Sequence, residues 1–317
     1  MASDNAVPLP RSPARWTLPA SAVRNLRLSE WVLIAYFCYT MALAAFWNRS
    51  TSIQPAIPLS AAAIPVAVLL LAWADSRRPR KLTGILRDWL PLALVLCAYL
   101  RLDAFRPALH SYRLERGWVL WDRRLLNDWG GRAVIEALGL LLPSLLDLSY
   151  LLLYAIPPLC VAMLYWSGRR RQVDRFLFMF LSGTLLAYSI LPFFPSDPPR
   201  LVFPGEDLPG VNTVLRRIVL WLLDRYDIRT SVFPSGHIAA AFSAAFAMLV
   251  VLPENRRVGW MLVAAAWWIG VAAVYGRYHY AVDVLAGFAV SLAAAALTAS
   301  LRLPRLRQQP GASPAQF

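Results

Sequence analysis

The chain of 317 residues is 58% hydrophobic and only 16% charged, and its mean hydropathy is +0.49. This composition excludes a soluble domain of the same size and indicates a membrane protein with several spans. The formal net charge of +14 does not indicate nucleic-acid binding, because the basic residues fall in short connections between apolar segments.

Eight apolar segments come close to the ~20 residues that a helix needs to cross a bilayer. They lie near 28–47, 56–74, 86–105, 148–166, 175–194, 232–252, 258–275 and 283–301. The segment at 86–105 carries charged residues at both ends and needs tilt or snorkelling side chains to cross: Arg87 and Asp88, then Arg101 and Asp103. The predicted fold class is all-α, a polytopic helical membrane protein with about eight transmembrane helices.

The distribution of Lys and Arg predicts the orientation of these spans. Short connections rich in basic residues alternate with long ones that also carry acids, so the positive-inside rule places both termini in the cytoplasm. Residues 1–27 and 302–317 are then cytoplasmic and largely disordered, and 28–105 form accessory transmembrane helices. Residues 106–146 form an outer-face segment, in which the apolar stretch 133–146 is too short to span and suits an interfacial or re-entrant helix.

Two polar islands stand at the edges of apolar runs and contain two of the three histidines. One is Phe233–His237, and the other is Arg277–Asp283. In the second island His279 and Asp283 are spaced i, i+4, so on a helix the carboxylate can hold one imidazole nitrogen and leave the other free to attack. The predicted topology puts both islands on the outer side of the membrane, where they form one candidate phosphate site.

The residue types in the islands suit transfer of a phosphoryl group through a phosphohistidine. His279 is the candidate nucleophile, Asp283 its orienting partner and His237 the acid that protonates the leaving alcohol. Ser235 and the Gly236 amide are candidates for binding phosphate at the start of a helix. The competing interpretations are ordinary histidines at headgroup depth and a zinc site, which has too few ligands; no metal or cofactor is predicted.

The motif Pro234-Ser235-Gly236-His237, followed by His279-x-x-x-Asp283, resembles the second and third signature motifs of the lipid phosphate phosphatase superfamily, the type 2 phosphatidic acid phosphatase fold. The resemblance covers 147–301. It implies a six-helix core with its active site at the outer membrane face, and it gives the three residues the same roles as above.

The sequence departs from this superfamily at two positions where the superfamily has a basic residue. The first motif, Lys-x6-Arg-Pro, ends correctly at Arg106-Pro107, but Tyr99 replaces its Lys. The Arg expected six positions before the third-motif His is Ala273. Other cations must then bind the phosphate, and the candidates are Arg200, Arg277 and Arg101.

The run Pro195-x-x-Pro198-Pro199 and the His-Tyr-x-x-Asp form of the third motif resemble the inositol phosphorylceramide synthase branch. That branch implies transfer of a phosphoinositol-like headgroup from a membrane phospholipid to a lipid hydroxyl. The alternatives are hydrolysis of a lipid phosphate or polyprenyl diphosphate, with water as acceptor, and a non-catalytic lipid-binding or transport protein. The oligomeric state cannot be read from the sequence.

Overall fold

The computed structural model describes residues 23, 25–47, 56–106 and 110–301, and within these ranges all regular structure is helical. The helices are α1 Leu28–Trp47, α2 Ala56–Arg77, α3 Lys81–Arg101, α4 Arg113–Arg123, α5 Gly131–Glu136, α6 Leu141–Leu152, α7 Ile156–Trp166, α8 Val173–Ile190, α9 Pro199–Val202, α10 Val214–Tyr226, α11 Gly236–Val251, α12 Arg256–Tyr275 and α13 Ala281–Ser300. The predicted all-α class is confirmed. The disorder predicted for most of 1–27 and for 302–317 concerns residues that lie outside the described ranges.

Each of the eight predicted spans coincides with helical structure. Among the described residues, five segments are long and apolar enough to cross a membrane by themselves: Leu28–Phe46, Leu141–Trp166, Arg170–Phe193, Pro253–Tyr275 and Ala281–Ser300. Helix α11 is apolar but shorter, with 16 residues. The segment Leu141–Trp166 contains α6 and α7, joined by the 3-10 turn Leu153–Ala155. The protein is therefore a polytopic helical membrane protein.

Helix α11 is central to the bundle and packs against α8, α12 and α13. In lipid, helices associate through close packing of small side chains, because the surrounding chains are as apolar as the helices. Gly183 of α8 shows this, since a Cβ there would lie 2.0 Å from the Ser243 hydroxyl of α11. The two helices therefore cross at a distance that any larger residue at 183 would prevent.

The accessory helices are joined to one another by buried ion pairs. Arg87 binds Glu30 at 2.6 Å and Asp75 at 2.7 Å, and Asp88 binds Arg27 at 2.6 Å. The side chains of Arg87 and Asp88 are only 5% and 4% exposed. Of the two alternatives predicted for this span, tilt or snorkelling, snorkelling is wrong for these two residues, because their partners lie on neighbouring elements inside the protein.

The apolar stretch 133–146, predicted as an interfacial or re-entrant helix, is divided between two helices. Helix α5 ends at Glu136, and Gly139 follows with a left-handed φ of 61°. A new helix begins at Leu141 and continues into the span, with Pro143 in its first turn, where a missing N–H costs nothing. Helix α4, earlier in the same segment, packs against the first turns of α13.

Candidate active site

A narrow cleft lies where the first turn of α11 meets the loop between α12 and α13. Tyrosines from α3 and α6 close its other side. The residues that line it are Tyr99, Tyr150, Leu191, Asp227, Ser231, Val232, Gly236, His237, Tyr278 and His279. The two histidine islands, separated by some forty residues of sequence, thus share one cleft.

The two histidine rings face each other across this cleft. Nδ1 of His237 lies 3.4 Å from Nε2 of His279, and the Ser235 hydroxyl lies 3.3 Å from the same Nε2. Nδ1 of His279 lies 3.4 Å from Oδ2 of Asp283. Each nitrogen of His279 therefore has a different environment, one toward a carboxylate and one toward the cleft.

The backbone holds Asp283 and Ser235 in these positions. Asp283 lies in the first turn of α13, and its Oδ2 accepts a hydrogen bond of 2.8 Å from the Tyr280 N–H. Ser235 caps α11 by accepting from the Ile238 N–H, and its own N–H donates to the Asp283 carbonyl at 3.1 Å. A Cβ at Gly287 would lie 2.6 Å from the Ser235 carbonyl oxygen. The starts of the two helices are therefore fixed to each other.

His279 is almost completely buried, with 5% of its surface exposed. Burial lowers the pKa of His279 to about 4; the charge of Arg200 lowers it further, and that of Asp227 opposes the shift. His279 is therefore neutral near pH 7, with a lone pair available on the nitrogen that carries no proton. A structural ion pair with Asp283 would need His279 to be protonated. Because this environment keeps the imidazole neutral, it favours a nucleophilic role.

The three predicted cations lie in different places. Arg200 forms an ion pair with Asp227 beside the histidines, and its buried Nη1 has no hydrogen-bond partner among the described residues. Arg277 is completely buried with a left-handed φ of 65°, and its charge acts on Asp122 and Asp207. Arg101 is half-buried at the end of α3 and does not line the cleft. Of the three, Arg200 is the cation placed near both histidines.

Comparison with known proteins identifies the family to which the chain belongs. The sequence profile described as the PAP2 superfamily matches residues 117–297, which include both histidines and Asp283. The chain belongs to the PAP2 superfamily. A PA-phosphatase related-family protein of Dictyostelium discoideum is 32% identical over 133 residues, which is 40% of this chain. The chain spans 23% of that relative's length, and no solved structure matches.

In this PAP2 protein, the two positions that lack the expected basic residues have other roles. The buried Ala273 accepts backbone hydrogen bonds from Tyr278 at 2.9 Å and from His279 at 3.2 Å. These bonds shape the loop that carries His279. Tyr99 donates a hydrogen bond of 2.7 Å to Asp227, and its ring centroid lies 5.7 Å from that of His237.

One residue in the PAP2 cleft, Asp227, and one beside it, Tyr154, are not among the site residues that the sequence analysis predicts. Asp227 accepts from Tyr99 and pairs with Arg200, which lowers its pKa although burial opposes the shift. The Tyr154 hydroxyl lies 3.0 Å from Nε2 of His237. Asp227 has no motif around it that could have indicated its place. Tyr154 had a signal in the sequence, since Tyr150 and Tyr154 are spaced i, i+4 within the predicted span 148–166. The described residues contain no group of three His, Cys, Asp or Glu side chains suited to a metal ion.

Proposed function

We propose that the protein is a membrane lipid phosphotransferase that moves a phosphoalcohol headgroup between lipids through a phosphohistidine at His279. One observation carries this proposal. Nε2 of His279 faces Nδ1 of His237 at 3.4 Å, while Nδ1 of His279 faces Asp283. A nucleophile with an acid beside it and a carboxylate behind it is the arrangement that covalent phosphoryl transfer requires.

The reaction has two balanced steps. In the first, His237 takes up a proton when the anionic substrate binds, Nε2 of His279 attacks phosphorus, the bond from phosphorus to the donor lipid's oxygen breaks, and His237 gives its proton to that oxygen. In the second, the acceptor hydroxyl gives its proton to His237 while its oxygen attacks phosphorus and the N–P bond breaks. Both histidines return to their starting states. Asp283 orients His279 and stabilises the positive charge that it gains while bonded to phosphorus.

The phosphate oxygens are held at the start of α11 and by Arg200. The Gly236 N–H belongs to the first turn of α11, where the helix dipole favours an anion, and Ser235 adds a hydroxyl beside His279. Nη1 of Arg200 is a buried donor without a partner among the described residues. It is placed to stabilise the charge that develops on phosphorus-bound oxygens.

The small number of cations favours a phosphodiester substrate. A phosphodiester carries one negative charge, whereas a phosphate monoester or a diphosphate carries about two or more near pH 7. Near the histidines the cation identified is Arg200, and its charge is balanced by that of Asp227 through their ion pair. The low local positive charge therefore supports a phosphodiester donor. The run Pro195-x-x-Pro198-Pro199 and the His-Tyr-x-x-Asp motif support a phosphoinositol-like headgroup and a lipid hydroxyl as acceptor.

The second candidate function is hydrolysis of a lipid phosphate. It is favoured by the Dictyostelium relative, which is named as PA-phosphatase related. The same two steps apply, with water in place of the acceptor lipid. For either reaction we place the cleft at the outer face of the membrane and both termini in the cytoplasm, on the strength of the positive-inside rule.

The test uses purified protein and phosphatidylinositol labelled in its headgroup, with ceramide, with diacylglycerol, or without an added acceptor. We expect a labelled acceptor lipid that depends on the acceptor and disappears in His279→Ala. Labelled inositol phosphate released equally with and without acceptor would instead establish hydrolysis. Movement of labelled lipid across a vesicle membrane without any product would replace both enzymatic functions with transport.

A further inference from the structure

Helix α10 has apolar side chains on two faces. Val219 and Leu223 are buried in the core, whereas Val214, Ile218 and Trp221 are 63%, 43% and 58% exposed. The exposed three are spaced i, i+4 and i+7, so they form one stripe, the α10 stripe, along the outward side of the helix. An exposed row of large apolar side chains indicates contact with a partner or with lipid.

Three side-chain hydrogen bonds hold α10 against the ends of three longer helices. They join Thr213 to Asp147 of α6 at 2.6 Å, Arg216 to the Gly276 carbonyl at 3.2 Å, and Asp227 to Tyr99 of α3 at 2.7 Å. The first bond reaches the second turn of α6, the second the end of α12, and the third the last turn of α3. With 13 residues, α10 is about 20 Å long and too short to span a bilayer. It therefore lies across the ends of these helices, at the membrane surface.

Helix α6, against which α10 packs, faces lipid. It belongs to the segment Leu141–Trp166, which is long and apolar enough to cross a membrane, and it exposes Leu141, Leu145 and Leu148. The tryptophan of the α10 stripe suits the boundary between headgroups and acyl chains, where aromatic residues are enriched. Arg225 follows that tryptophan at i+4 and can extend to lipid phosphates. Lipid therefore matches both the apolar row and the cation at its end.

We propose that the α10 stripe inserts into the leaflet on the side of the histidine cleft, at the boundary between headgroups and acyl chains. This inference assigns an interaction surface and goes beyond the proposed function. A second copy of the chain fits less well, because three side chains are few beside the roughly 20–30 residues that each partner contributes to a standard interface. Asp227 follows α10 directly and pairs with Arg200, so an inserted α10 holds the cleft at headgroup depth.

The experiment measures the depth of α10 in lipid vesicles with spin labels on the full chain. Cys38, Cys97 and Cys160 are replaced by alanine, and one label is attached through Ile218→Cys in the stripe or Asp224→Cys on the polar flank of α10. We expect the label at 218 to collide more with oxygen and less with a water-soluble nickel chelate than the label at 224. Equal access of the chelate to both labels overturns the proposal. Spectral broadening between labels on two chains would show that a second copy covers the stripe, and would also overturn it.

Fluorescence gives a second test that needs no label. Phosphatidylcholine brominated near the headgroup should quench wild type by a larger amount than Trp221→Phe, because the bromine contacts Trp221. Trp118→Phe is the matched control and should be quenched by the same amount as wild type, since Trp118 stacks on Phe233 at 5.2 Å. Equal quenching of wild type and Trp221→Phe overturns the proposal. Neither measurement depends on turnover, so the insertion of α10 and the proposed function fail or succeed separately.

Discussion

The Tyr154 hydroxyl lies 3.0 Å from Nε2 of His237, on the side of the ring opposite His279. One nitrogen of His237 thus contacts the tyrosine while the other faces the reacting position. This contact fixes the orientation of the ring and the nitrogen that carries the transferable proton. The turn at Leu153–Ala155, between α6 and α7, places Tyr154 at this depth in the bundle.

Tyr154→Phe should therefore lower kcat about tenfold, because it removes one hydrogen bond of about 1.4 kcal/mol and leaves the ring in place. KM should change little, since Tyr154 contacts His237 and not the phosphate. Steady-state kinetics with the headgroup donor measures both values. Tyr39→Phe is the control, because the Tyr39 hydroxyl donates to the Ser189 carbonyl instead. An equal loss in the two variants would show that Tyr154 acts only through general stability.

The Arg200–Asp227 pair should affect stability and activity separately. Arg200→Met leaves a buried carboxylate without its cation and should lower the free energy of unfolding by about 3–5 kcal/mol. Adding Asp227→Asn should restore most of that stability. The double variant should still have kcat/KM reduced about 100-fold, because the phosphate loses its guanidinium donor. Thermal unfolding in detergent and initial rates test the two parts, and wild-type rates in the stable double variant would exclude Arg200 from phosphate binding.

Asp122 on α4 caps the start of α13 through the Ala281 N–H at 2.9 Å, and burial raises the pKa of its carboxyl from 3.8 to about 7. The folded protein thus holds this proton more tightly than the unfolded chain does. The associated stability is present below pH 3.8 and is lost as the pH rises toward 7. Asp122→Asn keeps the acceptor without the charge, so its unfolding midpoint should exceed that of wild type more at pH 8 than at pH 5.

The control for that comparison is Asp122→Ala, which removes the acceptor. Its free energy of unfolding should lie about 1 kcal/mol below that of Asp122→Asn at both pH values, as expected for a lost helix cap. A constant difference between Asn and wild type across the pH range would mean that Asp122 does not titrate in this window.

Arg87→Met should destabilise the accessory helices by about 3–5 kcal/mol, because Glu30 and Asp75 both lose their buried partner. Arg78→Met, which changes an exposed arginine in the connection to α3, should alter stability by less than about 0.5 kcal/mol. Thermal unfolding of the two variants provides the comparison. Turnover per folded molecule should stay near that of wild type in both, since the ion pairs lie where α8 begins and the cleft lies where it ends.

The sequence was sufficient for the parts of the site that depend on local spacing. The Ser-Gly-His start of α11 can be read from helix-capping preferences. The spacing from His279 to Asp283 indicated the right pair although His279 lies in the loop before α13 and not on the helix, because Asp283 is in the first turn of that helix. Asp227 could not be found in this way, since its importance comes from tertiary contacts with Tyr99 and Arg200.

Dependence on tertiary contacts also explains the features of the fold that the sequence did not predict. Arg87 and Asp88 looked like residues at a span edge because their partners are distant in sequence. The start of α6 at Leu141 depends on the left-handed turn at Gly139, which a hydropathy pattern does not indicate.

The central claim is that His279 forms a covalent bond to phosphorus. Its most direct test is to mix the protein with headgroup-labelled phosphatidylinositol without acceptor, quench in alkali to preserve an N–P bond, and sequence the labelled peptide by mass spectrometry. We predict phosphoinositol on His279, loss of the label when acceptor lipid is added, and no label in His279→Ala. Label on His237, or full turnover by His279→Ala, would contradict the claim.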